Sequence, residues 1–104
     1  MPEALCFYVP CANKQKASEL IDQLLHLRLI ACGNILASDS RFVWDFQLNT
    51  DPESIVFMKT LPHLEYEVEQ AVEELHSYEV PCIARWTIRV NEAYWNWLKD
   101  CVKP

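Results

Sequence analysis

Length, composition and charge exclude several classes of function. With 104 residues the chain is expected to form one domain over residues 1–104, and with Gly33 as its only glycine it has no glycine-rich phosphate-binding loop. Its 15 acidic and 9 basic side chains give a net charge of −6, which repels nucleic-acid phosphates, so no nucleic-acid partner is expected.

The first 29 residues predict a strand followed by a helix. The apolar run ALCFYVP at residues 4–10 is typical of a buried strand and ends at Pro10. Asn13 is a suitable cap for a helix that runs to about Leu29. Five apolar residues recur at helical spacing and predict its buried face: Ala17, Leu20, Ile21, Leu24 and Leu25.

Residues 34–60 predict two strands that form an antiparallel hairpin. The aromatic side chains of Phe42, Trp44 and Phe46 alternate with other residues, as in a strand. NTDPES, at residues 49–54, is rich in turn-forming residues and predicts the connection. SIVFMKT, at 54–60, is continuously apolar up to its Lys and predicts a strand buried on both faces.

The last third of the chain predicts a helix, a strand and a second helix. LPHLEYEVEQAVEELH, at residues 61–76, has one apolar and one acidic face, with Pro62 in the first turn. VPCIARWTIRV, at 80–90, predicts a strand that starts near Pro81. The final helix follows Asn91 as its cap and places Tyr94, Trp97, Leu98 and Cys101 on one face.

This order, βαββαβ plus one helix, predicts an α+β fold of the ferredoxin-like type with an extra C-terminal helix. Two helices cover only one face of such a sheet. The strands nevertheless carry large apolar side chains on both faces, such as Trp44 and Val43. Exposed apolar patches of this kind mark interfaces, so we expect a homo-oligomer that covers the open face.

The sequence also suggests where the protein resides. No apolar run reaches the roughly 18 residues of a membrane span. The opening residues MPEALCFYVP carry Glu3 where a secretion signal would carry basic side chains. The five cysteines form no Cys-x-x-Cys pair and are expected to be free thiols in a reducing compartment. We therefore expect a cytoplasmic protein without a membrane partner.

The stretch ELHSYEVPCI, residues 74–83, is the best candidate for a site. His76 lies at a predicted helix end, where an imidazole can simply cap free carbonyl groups. With Glu79 three residues later, it could instead share a metal ion or a proton. Two donors are too few for a tight metal site, so a third is needed from Cys32, from Cys11 or from a neighbouring subunit.

Other residues of possible function have simpler interpretations. Cys32 can be a buried thiol, and Trp44 a packing or interface aromatic. Lys59 interrupts an apolar strand and needs a partner, for which Glu79 is a candidate. RNA-recognition motifs and paired metal-binding thiols are absent. No nucleophile relay is visible, so no enzymatic activity is expected.

The chain resembles the CutA family of divalent-cation tolerance proteins. The resemblance rests on RLIACGNIL (28–36), FVWDFQLNTDPESIVFMKT (42–60) and LHSYEVPCI with NEAYWNWL (75–98). It implies a ferredoxin-like protomer in a tight homotrimer, similar in architecture to PII signalling proteins, and a link to tolerance of copper and other divalent metals. The matching family positions, which the resemblance places near clefts between subunits, are Cys32, Trp44, Lys59, His76, Tyr78, Glu79 and Pro81.

The chain departs from the family pattern at several of its positions. Cys82 stands where an acidic residue usually follows the Glu-Val-Pro motif, and Ser77 replaces a Pro. Val9 stands where some members carry a thiol at the end of the first strand, while Cys11 is an additional thiol. Cys11 or Cys82 could therefore contribute a softer ligand.

Together these observations predict a cytoplasmic trimer that binds copper or another divalent cation weakly between subunits. His76 is the predicted nitrogen donor, Cys32 the thiolate and Glu79 the carboxylate. Trp44, Lys59 and Tyr78 are expected to line the cleft. The alternative is a PII-like regulatory or scaffolding trimer without metal, in which Lys59 and arginines anchor a small anion or a partner protein.

Overall fold

The computed structural model describes residues 2–104 and contains one four-stranded sheet and three α-helices. No helix of these residues is both long and apolar enough to cross a membrane. The elements in chain order are β1 (Glu3–Cys11), α1 (Lys14–His26), β2 (Cys32–Trp44), β3 (Gln47–Thr60), a short 3-10 helix (Pro62–Leu64), α2 (Glu65–Leu75), β4 (Ala84–Arg89) and α3 (Glu92–Cys101).

The strands lie in the order β2-β3-β1-β4, and every neighbouring pair is antiparallel. Because β1 and β3 are central, both crossovers run over the same face, where α1 and α2 pack. The predicted α+β fold with the order βαββαβ and an additional C-terminal helix is confirmed. The homotrimer stays a prediction, since a single protomer is described.

The pairing register separates the two faces of the sheet. Gly33, Met58, Phe7 and Arg85 form one row across the four strands. A Cβ atom on Gly33 would meet the side chain of Ile21, so this row faces α1. The next row contains Cys32, Lys59, Cys6 and Trp86. Side chains alternate along a strand, so this second row faces away from α1 and α2.

Helix α1 begins as predicted but ends earlier. The Asn13 side chain accepts a hydrogen bond from the Lys16 backbone N–H at 2.8 Å, as expected of an N-cap. The helix ends at His26 rather than near Leu29. Arg28 adopts a left-handed conformation with φ of 58°, which redirects the chain into β2.

The predicted turn at residues 49–54 is wrong. The hairpin turns at Asp45 and Phe46, whose φ values of 57° and 61° are those of a two-residue turn between β2 and β3. β3 then passes through the NTDPES segment, and its Pro52 pairs with Asp39 of β2. Turn-forming composition was misleading here, because the true turn contains a bulky residue that rarely adopts positive φ.

Both strand prolines lie where a neighbouring strand has ended. β1 continues through Pro10 to Cys11 instead of ending at Pro10, but β4 pairs with it only as far as Tyr8. β3 likewise contains Pro52, whereas β1 pairs with β3 only from Ser54 onward. On such an unpaired edge a missing N–H costs little.

Strand β4 is shorter than the predicted segment of residues 80–90. It begins at Ala84, and residues 76–83 form an irregular loop, hereafter the 76–83 loop. Pro81 lacks the N–H that a ladder requires, and β1 offers no partner beyond Tyr8. The loop is therefore free to make side-chain contacts at the end of the sheet.

Beyond Ala37 and Ser54 only β2 and β3 continue. They form a two-stranded ribbon (residues 38–53) that extends from the body of the protomer. Its apolar side chains are exposed, with 68% of Val43, 78% of Leu48 and all of Phe46 accessible to solvent. A two-stranded ribbon is only marginally stable in water by itself.

Candidate functional site

His76 closes the open edge of β1. It follows directly after α2, and its Nε2 lies 2.8 Å from the carbonyl oxygen of Pro10. Its Nδ1 accepts a hydrogen bond from the Tyr78 backbone N–H at 3.0 Å. The ring therefore contacts β1 and its own loop rather than the carbonyl groups that end α2.

These two hydrogen bonds select one tautomer of the imidazole. A nitrogen that accepts from an N–H carries no proton, so Nδ1 is bare and Nε2 bears the hydrogen that it donates to Pro10. Both ring nitrogens of His76 are thus occupied within the protomer. The geometry makes His76 a residue that positions the 76–83 loop, and it could ligate a metal only by giving up one of these bonds.

Tyr78 fixes the same loop to β3. Its hydroxyl donates a hydrogen bond to a carboxylate oxygen of Glu53 at 2.7 Å, and its ring packs against His76 with 4.7 Å between centroids. Burial raises the pKa of the Tyr78 hydroxyl, and the hydrogen bond to Glu53 raises it further. Tyr78 therefore stays protonated and acts as a donor at neutral pH.

Glu79 lies in an open acidic cleft of about 450 Å³ between α2 and the 76–83 loop. Its lining residues are Glu69, Glu73, Tyr78, Glu79, Val80, Pro81 and Ile83. Glu69 is already paired with the Arg85 guanidinium at 2.6 Å, which also contacts Glu65. Glu73 and Glu79 are the carboxylates of this cleft without such a partner among residues 2–104.

Cys32 lies at the start of β2 in a different environment. Its Sγ is 3.3 Å from the hydroxyl of Tyr94 in α3, so α3 packs beside this end of the sheet. Burial raises the pKa of the Tyr94 hydroxyl, and the contact with Cys32 adds to this effect. The thiol is half-buried, and its sulfur is a soft donor.

The three predicted metal donors do not converge within one protomer. Cys32 shares its sheet row with Cys6, whereas His76 contacts Pro10, four residues further along β1. Four strand residues correspond to about 13 Å. No group of three or more His, Cys, Asp or Glu side chains in residues 2–104 has a geometry suited to a metal ion.

The remaining predicted cleft residues are also dispersed. Trp44 lies at the end of β2 beside the hairpin turn and is half-exposed. Lys59 lies between Cys6 and Cys32 in the sheet, and no carboxylate of residues 2–104 reaches ion-pair distance from it. The suggested pairing of Lys59 with Glu79 is therefore wrong in the protomer, because Glu79 lies in the acidic cleft instead.

The two additional thiols differ sharply in exposure. Cys11 is 2% exposed, and its Sγ lies 3.8 Å from the Val9 carbonyl oxygen. Burial, reinforced by the charge of Glu53, raises the pKa of Cys11 to about 11. Its thiol is therefore protonated at neutral pH, which disfavours metal binding. Cys82 is exposed on the 76–83 loop.

Two residues that organise these regions were not predicted from the sequence. Glu53, the acceptor for Tyr78, fell within the segment predicted to be a turn, although it is a β3 residue. Tyr94 was placed on the packed face of α3, but its contact with Cys32 spans 62 residues of sequence. The Tyr-x-x-Trp-Leu motif was the available signal for Tyr94.

The sheet order and the helix positions define the ferredoxin-like α+β class, here with a projecting ribbon and an extra helix. The family model described as "CutA1 divalent ion tolerance protein" matches residues 5–101. The chain therefore belongs to the CutA1 family.

Individual relatives agree with this assignment. The chain is 34% identical over 97 residues to the divalent-cation tolerance protein CutA of Pyrococcus horikoshii, covering 92% of this chain and 95% of that protein. It is 35% identical over 98 residues to the protein of the same name from Thermotoga maritima, covering 91% and 95%.

Solved structures show the same fold. A crystal structure of CutA1 from Pyrococcus horikoshii superposes with a TM-score of 0.94 at 31% identity, covering 96% of this chain and 99% of that chain. The CutA of Archaeoglobus fulgidus, described as a periplasmic divalent cation tolerance protein, gives 0.93 at 28% identity and the same coverage.

Proposed function

We propose that this protein acts as a cytoplasmic, non-enzymatic trimer that binds divalent cations, copper among them, weakly at clefts completed by neighbouring subunits. This proposal rests on the exposed ribbon (residues 38–53). Its exposed apolar side chains and unpaired edges need a partner, and three copies that cover one another's ribbons and open sheet faces would supply it.

The open face beside the ribbon supports self-association. Tyr8, Phe57 and Trp86 form an aromatic cluster there, with ring centroids 5.5 and 6.5 Å apart in successive pairs. Trp86 is 46% exposed, and Leu36, on the same face in β2, is 51% exposed. A second sheet packed on this face would bury these side chains and stabilise both protomers.

The first experiment tests assembly. Val43 and Leu48 are directly paired across the ribbon, so changing both to Asp places two charges on its apolar surface. We expect Val43→Asp/Leu48→Asp to sediment as a monomer with native circular dichroism. Gln15→Glu/Gln23→Glu adds the same charge on the exposed side of α1 and should remain a trimer. A trimeric ribbon variant, or a monomeric wild type, would contradict the proposal.

The donor set favours carboxylate and thiol over imidazole. Glu73 and Glu79 offer hard oxygen donors, and Cys32 offers a soft sulfur that suits copper. A cleft that holds only one or two donors per subunit binds a cation weakly unless a neighbour adds another. His76 would act by positioning the loop that carries Glu79.

The second experiment tests these roles by calorimetric titration with Zn²⁺ and by Co²⁺ absorption, with thiols reduced. Glu79→Gln should weaken binding by about tenfold, whereas Glu92→Gln on α3 should not change it. Loss of the Co²⁺–thiolate charge-transfer band in Cys32→Ser would identify the Cys32 thiolate as a ligand of the metal. Unchanged isotherms for both Glu79→Gln and Cys32→Ser would remove these residues from the site.

A second candidate function rests on Lys59. This residue is half-buried on the open face, between Cys6 and Cys32 in the sheet, and lacks a carboxylate partner among residues 2–104. A PII-like trimer could use it to anchor a small anion or an acidic group of a partner protein. This candidate would be favoured if the wild-type protein bound phosphate but no divalent cation, and if Lys59→Met abolished the phosphate binding.

A further inference from the structure

An open cavity of about 640 Å³ lies at the end of the protomer where α1, β3 and α3 terminate. Its apolar wall consists of Leu61, Trp95 and Val102. Leu61 and Val102 belong to the hydrophobic core, and the Trp95 indole N–H donates to the Glu3 carbonyl oxygen at 3.2 Å. The volume is within the range of about 300–1,000 Å³ that is usual for small-molecule sites.

Hydrogen bonds between segments that are distant in sequence fix the walls of the cavity. The Arg28 guanidinium donates to the carbonyl oxygens of Cys101 and Val102, both at 3.4 Å, and the Lys103 backbone N–H donates to the Arg28 carbonyl oxygen at 2.9 Å. His63 Nε2 lies 3.0 Å from the Lys103 carbonyl oxygen. These contacts fix the walls before any ligand binds, which lowers the entropic cost of binding.

Basic side chains concentrate here in an otherwise acidic chain. Arg28, Lys99 and Lys103, three of the nine Lys and Arg residues, line the cavity together with His63. The cluster is not visible in the sequence, because Arg28 and Lys99 are 71 positions apart. Lys103 is paired with Glu67, Asp100 contributes an acidic side chain, and Pro104 completes the lining.

Two cations remain available to a ligand. Arg28 has five N–H donors, of which its contacts with the α3 end use two, so others can bind an anion. The Lys99 ammonium lies 5.6 Å from the centroid of the Trp95 ring and makes no ion pair among residues 2–104. The cavity therefore combines an aromatic surface with adjacent positive charge.

We propose that this cavity binds a small organic carboxylate with an apolar or aromatic body. The carboxylate would meet Arg28 and Lys99, and the apolar body would pack on Trp95 and Val102. The site is separated from the hairpin turn by the length of β3, about 43 Å at the usual rise per residue. The proposal does not depend on cation binding.

The test uses naphthoate as the probe, with naphthylmethanol and acetate as matched compounds that lack the charge or the aromatic body. Calorimetric titration of the full chain should show saturable binding of one naphthoate per chain. Each matched compound should bind about tenfold more weakly or worse, a loss of ~1.4 kcal/mol. Equal binding of naphthoate and naphthylmethanol, or no saturable naphthoate binding, would overturn the proposal.

Two variants locate the site. Lys99→Met keeps the apolar stem and removes an exposed charge, and should weaken naphthoate binding by about tenfold. Lys14→Met removes the same charge from the exposed start of α1 and should bind as wild type. In nitrogen–proton spectra, naphthoate should shift the Trp95 indole resonance, assigned with Trp95→Phe, more than that of Trp44. If Lys99→Met and Lys14→Met bind alike, or Trp44 shifts more, the site is not this cavity.

Discussion

The two faces of the central sheet differ in the burial and the chemistry of their side chains. The row formed by Gly33, Met58 and Phe7 faces the helices, and Phe7 and Met58 are fully buried. The neighbouring row, with Cys32, Lys59 and Trp86, carries thiols, a cation and a half-exposed indole. Along each strand, side chains buried against the helices thus alternate with side chains on the open face, which are available to a ligand or a partner. Each face can therefore be tested separately.

The largest effect is expected from the helix-side face. Phe7→Ala removes a fully buried aromatic ring at the centre of the core and should lower the free energy of unfolding by about 3–5 kcal/mol. Val80→Ala, on a side chain that is 67% exposed in the 76–83 loop, should change it by no more than about 0.5 kcal/mol. Urea denaturation at one protein concentration measures both, and similar costs would contradict the role of Phe7 in the core.

The elements on which this comparison rests were largely predictable from the sequence. Apolar runs, alternation and helical spacing located the four strands and three helices of residues 2–104, because burial imposes a pattern on local sequence. The prediction that β3 is buried on both faces is wrong in the protomer, where Phe57 and Lys59 on the open face are only half-buried, because no second layer covers them. The hairpin turn was misplaced because Asp45 and Phe46 do not resemble a turn, while the strand segment around Pro52 does. That strand tolerates turn-forming residues because one of its edges is unpaired there.

The candidate site was less predictable, because it depends on contacts between distant residues. The bond of His76 to Pro10 spans 66 residues, and that of Tyr78 to Glu53 spans 25. Neither acceptor carries a signal in the sequence: one is a backbone carbonyl oxygen, and the other is one glutamate among many. Residue types could suggest that His76 was important, but not that its nitrogens were already occupied.

The second largest effect is an alkaline loss of stability at the end of the helix-side face. Cys11 has a usual pKa of 9.0, which burial raises to about 11 in the folded chain. Between these values the unfolded state releases a proton that the folded state retains, so stability is complete below pH 9 and falls as the pH rises. The expected loss from pH 9 to pH 11 is about 2 kcal/mol.

Cys11→Ala isolates this contribution. Other groups with raised pKa values, Tyr78 and Tyr94 among them, also lower stability at high pH, but they do so in both proteins. The difference in unfolding free energy between wild type and Cys11→Ala should therefore shrink by about 2 kcal/mol across this interval. A difference that stays constant would show that Cys11 ionises alike in both states.

A smaller effect is expected at Gly33, where β2 packs closely against Ile21 of α1. An added Cβ would lie 2.8 Å from side-chain atoms of Ile21, too close for real contacts. Gly33→Ala should therefore lower stability by about 1.5 kcal/mol through overpacking. Ile21→Val/Gly33→Ala should cost less than the sum of the two single changes, as a double-mutant cycle in urea would show. Additive costs would contradict this contact.

The smallest expected effect has the opposite sign and lies on the ribbon. Phe46 is fully exposed and adopts φ of 61°, so its side chain gains no burial in the protomer and strains its backbone. Phe46→Gly creates an Asp-Gly turn, and we expect it to stabilise the fold by about 0.5 kcal/mol after the added entropy of the unfolded chain is subtracted. Leu48→Gly, two residues away within β3, should instead destabilise it by about 1 kcal/mol. If Phe46→Gly also destabilises, the strain relieved at this position is smaller than the entropy cost of glycine together with any burial of the ring in the trimer, and the prediction is wrong.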